Sequence, residues 1–231
     1  MKLKKMSNYG LRRLCEKLIA GVAIVGIFGT SITATNFNTT QTVQARSTKR
    51  LKLGRDGDCI LKFDPSTKTL HIKDGTSGNT LGGLSIYQFI YNAKKHLSKK
   101  HLLKPTDIKH ISIDGNITLP NGNYGDCELL FAKLYNLQTI DGLDKADAKD
   151  VTSMKQMFYG DKRLKTLDLS NWDTENTKWY MNKMFYGDKA LKNLNLTGNF
   201  VVWSAGGNEM FRDVNPDAIQ GIKAEFISNN S

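Results

Sequence analysis

The sequence is poor in the residues from which most active sites and disulfide frameworks are built. Its 231 residues include three cysteines, four histidines and four prolines. No Cys-x-x-Cys pair, His-Glu-x-x-His stretch, Gly-x-Ser-x-Gly elbow, P-loop or paired-carboxylate site occurs, so no catalytic residue, metal centre or cofactor is expected. Asp56-Gly57-Asp58 and Asp114-Gly115-Asn116 begin like calcium loops but lack the alternating acidic positions and distal Glu that such a loop needs. They read as turns. Acidic residues are also scarce, 22 against 33 lysines and arginines, for a net charge of +11. Six basic residues against Glu16 place +5 of that charge in the first 45 residues, leaving +6 spread as lysine over the rest. Without an arginine-rich groove or an aromatic stacking stripe, that spread argues against nucleic acid as a partner.

Long apolar runs are missing too. The longest, LIAGVAIVGIFG at residues 18–29, is too short for a comfortable membrane span. It follows a basic start and precedes a Ser/Thr-rich stretch ending TVQA, the layout of a secretory signal over residues 1–45. Left uncut, the segment would be an N-terminal anchor and the one membrane attachment. Within it SNYGLRRL resembles the YSIRK-type signal of Gram-positive surface proteins. Export permits disulfides. Beyond the segment only Cys59 and Cys127 remain, as one candidate bridge or as two buried small hydrophobes.

What the sequence does have is repetition. MFYGDK occurs at residues 157–162 and again at 184–189, and the match extends as MFYGDKRLKTLDLSNW over MFYGDKALKNLNLTGN. A shift of the same size backward gives LFAKLYNLQTIDGL from Leu130; a forward shift one residue shorter gives MFRDVNPDAIQGIKAEF from Met210. IKHISIDGN from Ile108 keeps the closing part of a fifth unit. A period in this range is the mark of a solenoid, whose units bury their apolar sides only by stacking. Stacking predicts one internal column of Phe131, Phe158, Phe185 and Phe211 and another of Leu and Ile. Met154, Met157 and Phe158 share helical spacing, and Leu167 and Leu169 alternate as in a half-buried strand. Each unit is therefore expected to be a short helix, a Gly-Asp turn and a short strand. The fold class expected is an α/β solenoid, a leucine-rich-repeat stack of about five units over residues 106–231, the last degenerate. Residues 46–105 read as its N-terminal cap, a hairpin (CILKFD, LHIKD) followed by a helix with Ile86, Phe89, Ile90 and Leu97 on one side.

The run VTSMKQMFYGDKRLKTLDLSNWDT resembles the BspA-type leucine-rich repeat of bacterial surface proteins from lactobacilli and other Gram-positive bacteria. The likeness is strongest over residues 151–196. It implies export, display at the cell surface or secretion, and adhesion without catalysis. The implied partner is a host extracellular-matrix or surface protein, or an anionic cell-wall polymer, bound by a monomer. A structural envelope component held by charge alone is the alternative. After Phe226 the sequence ends in ISNNS, without a Leu-Pro-x-Thr-Gly sorting signal.

On such a stack the outward strand residues fall into rows: His110, Thr139, Thr166 and Asn193, then Ser112, Asp141, Asp168 and Asn195. Extended faces of this kind are what solenoids use for binding, and His110, Asp141, Asp168 and Asn195 are taken as candidate contacts. Trp172 occupies the aromatic slot of the BspA-type repeat, and the resemblance implies a core position for it. Trp179 and Tyr180 stand where the preceding unit has Thr152 and Ser153, and large aromatics at formerly polar positions are candidate hot-spot residues.

Overall fold

The computed structural model describes residues 50–75, 80–93, 103–121, 127–177 and 180–231. The expected signal segment, Leu97 and Trp179 lie outside the described residues. Beyond residue 44 the chain forms one unit, Ala45–Ser231.

Alternation of buried and half-exposed residues builds the first part. Strands β1 (Leu51–Asp56), β2 (Cys59–Asp64) and β3 (Thr69–Lys73) pair antiparallel in order, with Leu61, Phe63, Leu70 and Ile72 turned inward. Asp64 Oδ1 accepts the Ser66 N–H at 2.8 Å and closes the β2–β3 turn. The hairpin expected at β2 and β3 is thus present, and β1 extends it by a strand. Helix α1 (Ile86–Ala93) buries Ile86, Phe89, Ile90 and Ala93 on one face, as the helical spacing predicts.

This cap does more than cover an end. β3 pairs parallel with β4 (His110–Ile113), which pairs parallel with β6 (Thr139–Asp141), so the last cap strand is already the first rung of the stack. A short parallel pair, β5 (Ile117–Thr118) with β7 (Ala146–Asp147), repeats the coil geometry at a second corner. A second parallel sheet joins β8 (Thr166–Asp168), β9 (Asn193–Asn195) and β10 (Ile219–Gln220). Helix α2 (Ala224–Asn229) follows, and the Asn230 carbonyl beyond it accepts the Phe211 N–H at 2.9 Å. The architecture is a β-solenoid of about four turns.

The expected solenoid is present, but it is of neither the leucine-rich-repeat nor the α/β type. Where each unit was to have a helix, the chain runs instead as overlapping four-residue turns. Positive φ at Gln156 (56°) and Gly160 (78°), and again at Lys183 (57°) and Gly187 (84°), falls on the third residue of every other turn, as a type II turn requires. The amides then split into two sets. Met157, Tyr159 and Asp161 donate three residues back, as turns do, whereas Met154, Gln156, Phe158 and Gly160 donate to Tyr180, Asn182, Met184 and Tyr186 of the next coil at 2.8–3.0 Å. A helix would use all these groups internally and leave adjacent coils joined by side chains alone. Four-residue turns bring positions i, i+3 and i+4 back to the same side, so Met154, Met157 and Phe158 are buried together without a helix.

The core follows the predicted columns. Phe131, Phe158, Phe185 and Phe211 are fully buried and stacked at centroid spacings of 5.5, 5.6 and 5.9 Å. Phe226 of α2 closes the column edge-on, 6.3 Å from Phe211. Trp172 is buried, with its Nε1–H donated to the Leu143 carbonyl at 3.0 Å. Cys59 and Cys127 are both buried and stand as thiols, not as a bridge. Burial, with Asp56, Asp58 and Asp74 nearby, pushes the Cys59 thiol up to about 12, and Cys127 Sγ donates to the Pro120 carbonyl at 3.7 Å.

Candidate functional site

The strands carry their outward residues into the two expected rows. His110 lies opposite Thr139 and Ser112 opposite Asp141; in the second sheet Thr166 lies opposite Asn193 and Asp168 opposite Asn195. The cap lengthens both rows, with Thr69 opposite His110 and His71 opposite Ser112. One face therefore presents short hydrogen-bonding side chains in register, spaced by the interstrand distance of about 4.8 Å.

Part of this face is occupied with local structure. Asp168 Oδ1 accepts the Ser170 N–H at 3.0 Å, and Asn195 Oδ1 accepts the Thr197 N–H at 3.2 Å and its hydroxyl at 2.8 Å. The Ser170 hydroxyl and N–H hold the Asp168 carboxyl below its usual range. His110 Nδ1 lies 3.0 Å from Thr139 Oγ1. His71 Nδ1 lies 3.0 Å from Asp114 Oδ2. Burial pushes the Asp114 carboxyl up, but hydrogen bonds from Ser112 and His71 outweigh it and leave the group lowered.

The face is broken between β6 and β8, which are joined through Lys165 N–H and the Gln138 carbonyl (3.1 Å) without pairing as strands. A groove of about 480 Å³ opens there, lined by Asp141, Asp144, Thr166, Asp168, Asn171 and Asn193. It brings Asp141 and Asp168 of the candidate set together, with His110 and Asn195 one rung away on either side. Tyr180 is 59% exposed and outside this groove, and its carbonyl accepts the Met154 N–H. Among the described residues, no three or more His, Cys, Asp or Glu side chains are placed to hold a metal ion. Among them, too, no helix is long and apolar enough to cross a membrane.

Two arrangements were not foreseen in the sequence. Lysines occupy the entry of most strands, threaded on one backbone ladder. Lys192 N–H donates to Lys165 O (2.8 Å), Lys165 to Gln138 (3.1 Å), Gln138 to Lys109 (2.7 Å) and Lys109 to Lys68 (2.9 Å). The LxxLxL phasing could have found this row, since the residue directly after the first Leu is Lys in both strong units. The other is a pair of buried acids in the Gly-Asp turns. Asp161 Oδ1 accepts the Leu134 N–H and Asp188 Oδ1 the Asp161 N–H, each at 2.7 Å, while both Oδ2 atoms are buried without a protein partner. Burial pushes both carboxyls well above their ordinary value, and Asp188 raises Asp161 further.

A family described as "Mycoplasma protein of unknown function, DUF285" matches residues 125–216, the span of the turn ribbons and of β6 to β9. No curated protein and no solved structure matches the chain.

Proposed function

We propose that this chain is an exported, non-catalytic binding solenoid of the bacterial surface, which attaches to a host or cell-surface macromolecule through its strand face. The observation that carries the reading is the register of that face. Six successive strands, from β3 to β10 along the stack, offer hydroxyl, amide, carboxylate and imidazole groups at one spacing, interrupted by a single groove. A repeating ligand surface meets such a ladder at several points at once, and many weak contacts then add up. The BspA-type resemblance of residues 151–196 supports adhesion, and the signal-like layout of residues 1–45 supports export. Retention in the envelope by charge alone is the second reading, supported by the lysines at the strand entries.

The test is binding of the purified chain to bacterial envelopes and to a panel of host-matrix proteins, before and after Thr166→Tyr with Asn193→Tyr. Both side chains are exposed, so the bulk blocks the face without disturbing the core. Loss of binding with an unchanged unfolding midpoint supports the strand face. Binding that persists in this variant and vanishes in a high-salt wash supports charge retention instead.

A further inference from the structure

Charge on the strand face is sorted lengthwise. At the strand entries stand Lys109, Lys165 and Lys192, with Lys162, Arg163 and Lys189 just before them, all exposed. At the strand exits stand Asp141, Asp168 and Asn195. The solenoid therefore has a cationic edge parallel to its axis and an acid-and-amide edge beside it, three residues away along each strand. Among the described residues, Lys189 is the one member of the cationic edge in an ion pair with a carboxylate, Asp213 at 3.4 Å.

We infer that this cationic edge, with the His110–Thr139–Thr166–Asn193 row next to it, docks a linear polysaccharide carrying one acidic group per sugar. The inference rests on the reading of the chain as a binding module and names the ligand class of its strand face. Three features select this class. Coils succeed one another at about 4.8 Å, close to the advance of one pyranose in an extended chain. The cations of the β8 and β9 coils therefore meet successive sugars, while the β6 coil, with Gln138 at its entry, leaves one sugar to hydrogen bonding alone. The neighbouring row supplies hydroxyl, amide and imidazole groups, the partners sugar hydroxyls need, at the same spacing. The ring faces beside the edge are already engaged: Lys162 Nζ lies over Tyr135 at 5.6 Å, and Tyr159 and Tyr186 stack on each other at 5.1 Å. Single-stranded nucleic acid, which depends on open aromatic faces for its bases, finds no platform there.

The acid edge sharpens the direction of docking. Asp141 and Asp168 repel a polyanion, so the chain is held over the entries and the Thr/Asn row, away from the exits. The six exposed cations stand on the coils of β4, β8 and β9, three coil steps or about 14 Å from end to end, which sets a minimum ligand of several sugars.

The experiment measures binding of the full chain to polygalacturonate, to its fully methyl-esterified form, and to single-stranded DNA of equal charge, across a salt series. Lys165→Glu with Lys192→Glu is compared with Lys52→Glu with Lys62→Glu, which changes net charge equally on the cap. The expected result is a preference for polygalacturonate that the first variant weakens by about tenfold or more, with a shallower salt slope, while the cap variant changes it by about twofold at most. Equal weakening in both variants, or tighter binding of DNA, overturns the inference. Equal binding of the methyl ester, abolished by Thr166→Tyr with Asn193→Tyr, overturns the acidic ligand class and keeps the binding module. No binding to any polymer, together with envelope binding indifferent to the Tyr variant, overturns both.

Discussion

Replacing Asp161 and Asp188 by Asn is expected to change how stability depends on pH. Each Oδ1 accepts a backbone N–H from the preceding coil at 2.7 Å, and each Oδ2 is buried without a protein partner. Burial raises both carboxyls well above their ordinary value of 3.8. The folded state therefore holds protons that the unfolded chain releases near pH 3.8. These acids contribute their full stability below that pH, and the contribution is lost as pH rises through the raised values. In that window each site lowers unfolding free energy by about 1.4 kcal/mol per pH unit. Asn keeps the acceptor and carries no proton to lose, so the double variant removes this slope.

The assay is urea denaturation of both proteins at pH values from 4 to 8. Asp56, which burial pushes up to about 6, and Asp114 and Asp168, which are lowered, titrate in both proteins and cancel in the difference. The difference in stability, variant minus parent, is expected to grow with pH. A difference that stays flat from pH 4 to pH 8 refutes the buried-acid reasoning. Asp161→Ala provides the contrast. It leaves the buried Leu134 N–H without an acceptor and is expected to cost about 1–3 kcal/mol even at pH 4.

Phe158→Ala is expected to cost about 3–5 kcal/mol in urea unfolding. Because Phe158 stacks on both sides and Phe131 on one within the column, Phe131→Ala is expected to cost less by about one ring contact, 0.5–1.5 kcal/mol. Tyr180→Ala, at an exposed ring, is expected to move stability by less than about 0.5 kcal/mol; unchanged binding to every envelope and matrix preparation would remove Tyr180 from the contact set. Lys162→Gln with Lys189→Gln is expected to leave the unfolding midpoint within that same margin and to weaken polygalacturonate binding several-fold, read in one titration.

The solenoid and its Phe column were legible because a fixed offset between copies places equivalent residues one above another whatever the local conformation. The strand rows were legible for the same reason. The turn ribbon was not. Its signature is positive φ at every fourth residue, and only Gly160 and Gly187 announce it; Leu129, Lys133, Gln156, Lys183, Glu209 and Asp213 adopt it under tertiary constraint. Met154, Met157 and Phe158 satisfy helical spacing equally well, so periodicity alone could not separate the two conformations. The Gly-Asp pairs marked turns correctly, but nothing local shows that Asp161 and Asp188 face inward to cap the preceding coil. The parallel join of β3 to β4 is a long-range pairing across 36 residues from Lys73 to Lys109, and no local pattern carries it.

Within the twice-written MFYGDK, five of the six residues have a packing reason to recur. Met and Phe fill the internal columns, Tyr159 stacks on Tyr186, Gly160 and Gly187 supply positive φ, and Asp161 and Asp188 accept N–H groups of the coil before. The lysine is different. Lys162 rests over Tyr135 and Lys189 meets Asp213, two unlike contacts at equivalent positions, both exposed. A residue that recurs while its neighbours differ is not explained by its neighbours. What the two lysines share is their place on the cationic edge, one coil apart, beside Lys165 and Lys192. The recurrence of charge there, where packing does not ask for it, makes that edge the part of the repeat whose reason lies outside the fold.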